Sequence, residues 1–439
     1  MPCALRTRFA LALLAFAACT PSRAPEPPSP SSPPVVERPA RRDTTVVSPR
    51  SANRDSTRRA ARTEPTVEPK TPPRAAPRVA VRRARPSARI DTLAVRALRA
   101  PVRVCAGGDV TLGTNLDLAW ARPAAAKLRA HYGRDDDPAS LIAPLRPLVA
   151  GAELVLVNVE SAIGAGPAPS KCGPRSTKCF AFRAPISSAR AIRSLNPGGA
   201  VVGNVANNHA RDAGSEGHAS TIAALARAGV LVTGADSIAT AVVTKGGDTI
   251  GVLGFYTSDS TPDARDTAAV RRLVERAADR YAAVIVTMHL GAEGQGAQRT
   301  FDAPERFLGI ERGNPVAFAD AAVRGGAALV IGHGPHVLRA VEWRERGALI
   351  AYSLGNLLTY GPFRLREPMN RGAVLCTTLD VNGRARDAEL RATMQLIPGV
   401  MQSDADGRAL ALVDSLGQLD FPGSAARVGK TGALRASRR

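Results

Sequence analysis

Aromatic residues are scarce in this 439-residue chain, at 4% of the composition, and residues 20–100 contain none. That segment consists mainly of Pro, Ser, Arg, Thr and Ala, a composition that cannot bury enough apolar surface to offset the entropy of ordering it. We therefore expect residues 20–100 to form a disordered linker rich in proline and arginine. The scarcity also weighs against nucleic-acid binding, because no aromatic rings accompany the arginines to stack on bases.

Acidic residues are outnumbered, with 38 Asp and Glu against 59 Lys and Arg, which gives a net charge of +21. Residues 1–100 hold 20 basic and 7 acidic residues, so +13 of this charge lies in or beside the linker and not in the part predicted to fold. Such a spacer favours nonspecific attraction to anionic envelope polymers or lipid head groups over specific recognition of nucleic acid.

The apolar run over residues 9–18 is too short to span a bilayer. It follows Arg6 and Arg8 and ends in small residues before Cys19, which is the arrangement of an export signal in residues 1–19. Residues 15–19 resemble a bacterial lipobox, which implies that Cys19 is lipidated and anchors the protein to a membrane. A plain secretory signal cleaved near Ala18 is the alternative. Both predict an exported protein, periplasmic or on the extracytoplasmic face, at the outer membrane if the cell has one.

Cysteine is sparse as well, with six residues in the chain. Cys172 and Cys179 flank a turn-rich loop, and in an exported protein this spacing predicts a local disulfide. A cysteine-only zinc site is disfavoured, since it requires closer pairs and a second pair. Cys105 and Cys376 lie in apolar, β-like runs, and we interpret them as buried thiols.

Two common catalytic motifs are missing. A serine-hydrolase mechanism has no nucleophile to assign, because the chain contains no Gly-x-Ser-x-Gly elbow. Residues 429–431 resemble the end of a phosphate-binding loop, but Gly423 lies one residue too far upstream and no strand precedes it. We therefore interpret residues 401–439 as a C-terminal helix and a basic tail.

From residue 101 onward, short apolar runs alternate with amphipathic, alanine-rich stretches. The pattern predicts strands at residues 102–106, 153–157, 200–202, 230–233, 241–245, 250–255, 283–287 and 329–331. It predicts helices at residues 138–150, 187–195, 216–228, 267–280 and 304–324, the last with a break near Gly313. Antiparallel strands are predicted at residues 337–344, 348–353, 372–381 and 386–396, the last two joined at Asn382-Gly383. This alternation predicts an α/β domain over residues 101–400, with helices on both outer faces of two stacked sheets.

Polar residues follow five of these strands. They are Asp109, Glu160, Asn208 with His209, His289 with Glu293, and His333 with His336. Each alone has an ordinary structural interpretation, such as a turn residue, a helix cap or a hydrogen-bonded core histidine. Because the carboxyl ends of parallel strands meet at one edge of an open sheet, we expect these side chains to converge. Their mixture of oxygen and nitrogen donors suits one divalent transition metal, or two metals bridged by a carboxylate.

Eight sequence blocks carry a family resemblance. In chain order they are GDVTLG, NVESAI, FRAP, ANNHARDAG, GADS, MHLGAE, IGHGPHVL and YSLGNLL. Through them the chain resembles bacterial capsule synthesis proteins of the CapA type, which act in poly-γ-glutamate biosynthesis and form a branch of the calcineurin-like metallophosphoesterases. The resemblance implies a four-layer α/β/β/α sandwich with divalent metal, such as Mn, Zn or Fe, at the strand ends. It also implies an anionic capsule polymer or its precursor, and capsule-synthesis membrane proteins, as partners.

The family resemblance implies a role for each matching site residue of this chain. The resemblance implies metal ligation by Asp109, Glu160, Asn208, His289, His333 and His336. It implies that His209 donates to the reacting group, and Asp212 is placed to orient that imidazole. Two positions depart from ordinary phosphoesterases, because Thr111 replaces a histidine and the final pair is lengthened to His-x-x-His. One weakly held metal, or a site rebuilt around Glu160 and Glu293, would account for these departures.

The sequence therefore predicts an exported, lipid-anchored CapA-like protein for synthesis, export or anchoring of an anionic capsule polymer. Whether it is a metal-dependent hydrolase is left open by the departures at the predicted metal site. One alternative is a non-catalytic envelope scaffold that binds polymer through a vestigial site. The other is a general periplasmic phosphoesterase.

Overall fold

A computed structural model of the chain describes residues 97–167, 172, 180–258 and 262–437. The predicted export signal with Cys19, most of the predicted linker, and Cys179 lie outside these residues. Within the described part, no helix combines the length and apolar character needed to cross a membrane.

The described residues form two large sheets, three short strand pairs and seven α-helices. The strands are β1 Val102–Leu112, β2 Leu154–Val159, β3 Ala162–Ile163, β4 Arg183–Ala184, β5 Ala200–Asn204, β6 Leu231–Thr233, β7 Thr240–Val243, β8 Thr249–Tyr256, β9 Ala283–His289, β10 Arg306–Phe307, β11 Ile310–Glu311, β12 Leu329–His333, β13 Val341–Trp343, β14 Leu349–Ala351, β15 Asn356–Tyr360, β16 Arg371–Leu379, β17 Ala385–Leu396, β18 Val400–Ser403, β19 Ala426–Val428 and β20 Leu434–Ala436. The helices are α1 Leu118–Tyr132, α2 Pro138–Ile142, α3 Ser187–Arg193, α4 Gly214–Arg227, α5 Thr267–Arg280, α6 Pro315–Arg324 and α7 Arg408–Asp420, with 3₁₀ helices at Ala143–Val149 and Glu345–Gly347.

The two sheets each have a parallel centre. The first sheet has the order β18-β17-β16-β1-β2-β5-β6, and β15 pairs in parallel with the C-terminal end of β1. The second sheet has the order β13-β14-β12-β9-β8-β7, in which β14, β12, β9 and β8 are parallel and both edge strands are antiparallel. Several parallel strands of each sheet therefore end at a common edge, where open α/β folds place their ligands.

Three apolar cores give the order of the layers. Leu156 of the first sheet and Ile285 of the second belong to a core between the sheets. Leu225 of α4 packs into a core on the outer face of the first sheet, and Val270 of α5 and Phe318 of α6 pack on the outer face of the second. The domain is therefore an α/β/β/α sandwich, which confirms the predicted fold class.

Strand β2 shows how its sequence produces this layering. Its residues are all buried, and side chains point alternately to the two faces of a sheet. Leu154 and Leu156 face the core between the sheets, while Val155 and Val157 face the helices. A strand covered on both faces needs apolar residues at successive positions, and this explains the unbroken run before Asn158.

Residues 304–324 do not form the single interrupted helix predicted from the sequence. The first part is the hairpin β10-β11, and only α6 is helical. Gly309 and Gly313 have φ values of 81° and 75°, which a right-handed helix cannot contain. Asn314 then caps α6 by accepting hydrogen bonds from the backbone of residues 316 and 317, so the helix starts there.

The C-terminal part also differs in detail from its prediction. The antiparallel pairs β13-β14 and β16-β17 are confirmed, the second joined at Asn382-Gly383. Strand β14 also pairs in parallel with β12, and β15 was not predicted. Helix α1, which contains Pro123, was not predicted either. Residues 429–431, interpreted as part of a basic tail, lie between the paired strands β19 and β20.

The interpretation of Cys105 and Cys376 as free buried thiols is wrong, because these residues form a disulfide. They stand directly opposite each other in the antiparallel pair β1-β16, with their Cα atoms 4.0 Å apart. Directly opposed residues point to the same face, so their sulfur atoms are brought together. Cys172 is also disulfide-bonded, and its predicted partner Cys179 lies outside the described residues.

Candidate metal centre

The strand registers align polar side chains in two rows at the carboxyl edge of the sheets. In the first sheet Asp109 is paired with Asn158, and Asn158 with Asn204. In the second sheet His289 is paired with His333. The two rows meet, because Asn158 Nδ2 lies 3.2 Å from His289 Nδ1 and His333 Nδ1 lies 3.6 Å from Asp109 Oδ1.

Asp109, Glu160 and His289 form the centre of this group. Each offers one ligand atom, and these atoms all lie within 4.8 Å of one another. All three side chains are fully buried. Carboxylate oxygen and imidazole nitrogen are common ligands of divalent transition metals, so this triad could hold a cation.

The two histidines after β12 extend the triad. His333 is in contact with Asp109, as described above. His336 Nδ1 lies 3.1 Å from Asp109 Oδ2, and its Nε2 lies 3.6 Å from Glu160 Oε1. Five of the six predicted metal ligands are therefore brought together from both sheets.

The hydrogen bonding of this cluster tests whether a metal fits. Among the described residues, five of its buried atoms have no hydrogen-bond partner: Glu160 Oε1 and Oε2, His289 Nε2, and His333 Nδ1 and Nε2. Asp109 Oδ2 has only the contact with His336 described above. Buried polar groups are nearly always bonded, and an uncompensated buried carboxylate costs several kcal/mol. A divalent cation would satisfy these atoms together, so the donor set fits a metal.

Burial and the neighbouring carboxylates also shift the pKa values in this cluster. Burial lowers the pKa of His333 to about 4 and that of His289 well below its usual value, so both rings are neutral at pH 7 and have a lone pair to offer a metal. Burial opposes the charge of His336 too, but Glu160 and Asp109 outweigh it and raise its pKa to about 10. Burial, reinforced by the charge of Asp109, raises the pKa of Glu160 well above its usual value.

Asn158 joins the two rows, although it was not among the predicted site residues. Its Nδ2 donates to Asp109 Oδ1 at 2.8 Å, and its Oδ1 accepts from Asn204 Nδ2 at 2.9 Å and Asn207 Nδ2 at 3.1 Å. This fully buried amide therefore orients a candidate ligand from each sheet. Strand alternation could have identified it, because residues 158 and 160 are two positions apart and share a face.

His209 lies between β5 and α4 and is held by Asp212. Its Nδ1 is 2.6 Å from Asp212 Oδ2, and the same oxygen accepts a hydrogen bond of 2.7 Å from the backbone N–H of Phe182. Because Asp212 is fully buried, this contact fixes the imidazole ring and places the proton at Nδ1. The structure thus pairs the two residues for which catalytic roles are predicted, His209 from the family resemblance and Asp212 from its spacing to His209.

Ring contacts connect His209 to the rest of the cluster. The ring centroid of Phe182 lies 4.6 Å from that of His209 and 5.0 Å from that of Phe363. Phe363 in turn lies 5.9 Å from His336. His209 therefore borders the same edge, beside a wall of two phenyl rings.

The amides before His209 have separate positions. Asn207 is buried and bonds Asn158, as described above, and its Oδ1 accepts from the backbone N–H of His209 at 3.0 Å. Asn208 is half-buried beside it. Metal ligation by Asn208 stays a prediction.

The two departures from ordinary phosphoesterases have local structural counterparts. Thr111 Oγ1 donates to the backbone carbonyl of Glu160 at 3.1 Å, so this position supports the loop that carries Glu160. Gly334 has a φ of 107° and His336 a φ of 57°, and this turn brings His336 back to Asp109 despite the longer spacing. His336 Nδ1 also lies 3.0 Å from Asn356 Oδ1, which orients its ring.

Residues 103–360, more than half of the chain, match the family described as bacterial capsule synthesis protein PGA_cap. The chain belongs to the PGA_cap family. A Mycobacterium tuberculosis protein named "Probable polyglutamine synthesis accessory protein" is 28% identical over 303 residues, which cover 58% of this chain and 74% of that protein. The PGA biosynthesis protein CapA of Bacillus subtilis is 28% identical over 187 residues, which cover 39% of this chain and 45% of that protein.

Solved nucleotidase structures resemble the PGA_cap chain more distantly. A 5′-nucleotidase precursor from Thermus thermophilus gives a TM-score of 0.33 at 13% identity, covering 74% of this chain and 59% of that one. The NAD nucleotidase of Haemophilus influenzae gives a TM-score of 0.30 at 12% identity, covering 72% and 62%. The chain spans about six-tenths of these two proteins, and similarity at this level carries no argument about activity.

Proposed function

We propose that this PGA_cap protein is exported and acts in the synthesis, export or anchoring of an anionic capsule polymer, by metal-dependent hydrolysis of a bond in the polymer or its precursor. The observation that carries the proposal is the set of buried, unbonded ligand atoms at the sheet edge. The charge of His336 offsets part of the cost of burying these atoms, but both oxygens of Glu160, Nε2 of His289 and both ring nitrogens of His333 stay unbonded, and a bound cation would satisfy them.

Asp109, Glu160, His289 and His333 would hold the cation, and His336 would join them by releasing the proton that the two carboxylates stabilise in the metal-free site. Asn158 would keep Asp109 and His289 in position. A divalent cation bound there supplies a Lewis acid that polarises a phosphoryl or carbonyl oxygen. The neighbouring phenyl rings of Phe182 and Phe363 restrict water on one side of the site.

His209 supplies the proton in this mechanism. The buried carboxylate of Asp212 stabilises the imidazolium and fixes the ring, so Nε2–H faces away from Asp212. From there it donates to the oxygen or nitrogen that leaves, as a positioned general acid does. Asp212 does not touch substrate and acts through His209.

Cysteine chemistry supports the export part of the proposal. The Cys105–Cys376 disulfide and the disulfide-bonded Cys172 are typical of proteins that fold in an oxidising compartment. Lipidation at Cys19 would then tether the folded domain to a membrane through residues 20–96, which agrees with the composition of that segment.

The test uses the mature protein, stripped with chelator and reconstituted with Mn²⁺, Zn²⁺ or Fe²⁺. We expect metal-dependent cleavage of a phosphodiester or a γ-glutamyl oligomer, and a loss of about 10²- to 10⁴-fold in His209→Gln. His218→Gln is the matched control, since this half-buried histidine of α4 contacts the backbone carbonyl of Ala210. Metal binding without turnover of either substrate would instead indicate a scaffold, and cleavage of small phosphate esters alone a general phosphoesterase.

A further inference from the structure

Arg312 is a buried cation beside the candidate metal centre, and neither the sequence motifs nor the mechanism above uses it. It directly follows β11, and only 5% of its side chain is exposed. Its backbone is fixed on both sides, because its N–H donates to Glu305 at 2.8 Å and its carbonyl accepts from Gly291 at 2.7 Å. The loop after β9 therefore holds the backbone of Arg312 in place.

Two contacts connect this guanidinium to candidate metal ligands. It lies over the ring of Tyr256, 5.6 Å from the centroid, and Tyr256 packs edge-on against His289 at 5.6 Å. On the other side, Arg312 Nη2 is 2.7 Å from Glu293 Oε1, and Glu293 Oε2 is 3.9 Å from His336 Nε2. Arg312 is thus separated from the candidate metal site by one side chain in each direction.

The donors of Arg312 are incompletely used. Its Nε and Nη2 are buried and make no hydrogen bond with any described residue, since the close contact with Glu293 is not aligned for one. Arg339 is equally buried in the same region, but its guanidinium is hydrogen-bonded. Its Nε donates to Ala297 at 2.7 Å and its two terminal nitrogens donate to Glu305 at 2.8 and 2.7 Å. Arg339 fastens the loop, whereas Arg312 has donors left for a ligand.

We propose that Arg312 forms an anion subsite that binds an oxyanion of the substrate, a carboxylate or a phosphate, next to the bond positioned at the metal centre. The inference rests on the proposed function and gives it a substrate class. The planar guanidinium matches the two oxygens of either group, and Glu293 holds it in position beside the site. Glu293 is not among the residues proposed to hold the metal, so its carboxylate would repel an anionic substrate, and the fixed charge of Arg312 offsets this repulsion.

The test is calorimetric binding to the metal-loaded full chain, with three probes: a γ-linked glutamate oligomer with free α-carboxylates, the same oligomer as its α-amide, and inorganic phosphate. We expect the wild type to prefer the free carboxylate over the amide by about 10- to 100-fold, as charge-assisted pairs do. In Arg312→Gln this preference should fall to near one, with the metal content unchanged. If Arg312→Gln loses affinity for inorganic phosphate together with this preference, the subsite binds oxyanions in general.

Control variants separate recognition from structure. Arg306→Gln changes an exposed arginine of the same hairpin and should keep the wild-type preference. Arg312→Lys keeps the charge but not the bidentate geometry, so an intermediate preference is expected, and this variant remains usable if Arg312→Gln does not fold.

Retention of the full carboxylate preference in Arg312→Gln or Arg312→Lys would overturn the subsite, as would loss of metal together with the preference. Its failure is distinguishable from that of the proposed function. An Arg312-dependent preference without turnover supports the subsite and rejects hydrolysis. Turnover together with a carboxylate preference that does not depend on Arg312 supports hydrolysis and rejects the subsite.

Discussion

Replacing Asn158 with alanine tests the geometry of the site most specifically. The change removes the donor to Asp109 Oδ1 and the acceptor shared by Asn204 and Asn207. Both amides keep a second partner, since Asn204 Nδ2 also bonds the carbonyl of Ala206 at 3.2 Å and Asn207 Nδ2 that of Val159 at 2.9 Å. One charged and two neutral hydrogen bonds are lost, which lowers the free energy of unfolding by about 3 to 5 kcal/mol.

The same substitution should weaken metal binding. Residues that orient metal ligands typically contribute about 10- to 100-fold to affinity. Denaturant unfolding and calorimetric metal titration measure the two effects separately. Asn196→Ala is the matched control, because this buried asparagine bonds the carbonyls of Ala152 and Ala200 at 3.2 and 3.3 Å, away from the cluster. It should lose stability and bind metal normally. Wild-type metal affinity in Asn158→Ala would refute the proposed role of this amide.

We make three further predictions, for the Cys105–Cys376 disulfide, for the pair formed by His209 and Asp212, and for the buried Glu160. Reducing Cys105–Cys376, whose residues are separated by 271 positions, should lower the free energy of unfolding by about 5 kcal/mol, and an unchanged denaturation midpoint would count against it. Asp212→Asn should reduce kcat by about 10²-fold or more with unaltered metal content, whereas an equal loss of metal would show a structural role for Asp212. Because burial raises the pKa of Glu160, the metal-free folded protein binds a proton that the unfolded chain releases near pH 4.5, so its stability should fall as pH rises above that value. Glu160→Gln should remove this decline in unfolding experiments between pH 4.5 and 8, and an unchanged slope would show that Glu160 does not cause it.

The sequence predicted the layered fold because its local patterns are strong. Runs such as 153–157 and 283–287 are apolar, short and followed by polar residues, so strands β2 and β9 were placed within two residues of their structural bounds. The helix predicted over residues 304–313 is wrong because Gly309 and Gly313 adopt left-handed conformations that a helix cannot contain. Helix α1 was missed because Pro123 lies inside it.

For the site, we expected polar residues that follow parallel strands to meet at one edge of the sheet, and the structure places five of the predicted ligands together there. This expectation did not select Asn158, although strand alternation places this residue on the same face as Glu160, and the contacts of Asn158 depend on the register of β2 with β1 and β5. It could not identify Arg312 either, because the contact with Tyr256 joins segments separated by a loop of irregular backbone. The Cys105–Cys376 disulfide likewise follows from a register that no local pattern contains.

We propose that the buried carboxylates and imidazoles at the sheet edge hold a divalent cation. Elemental analysis of the mature protein after extensive dialysis tests this most directly, with Asp109→Ala and His336→Ala measured in parallel. We predict at least one Mn, Zn or Fe ion per wild-type chain and a loss of most of it in both variants. Wild-type protein that remains folded, contains no metal and takes up none on reconstitution would contradict the account.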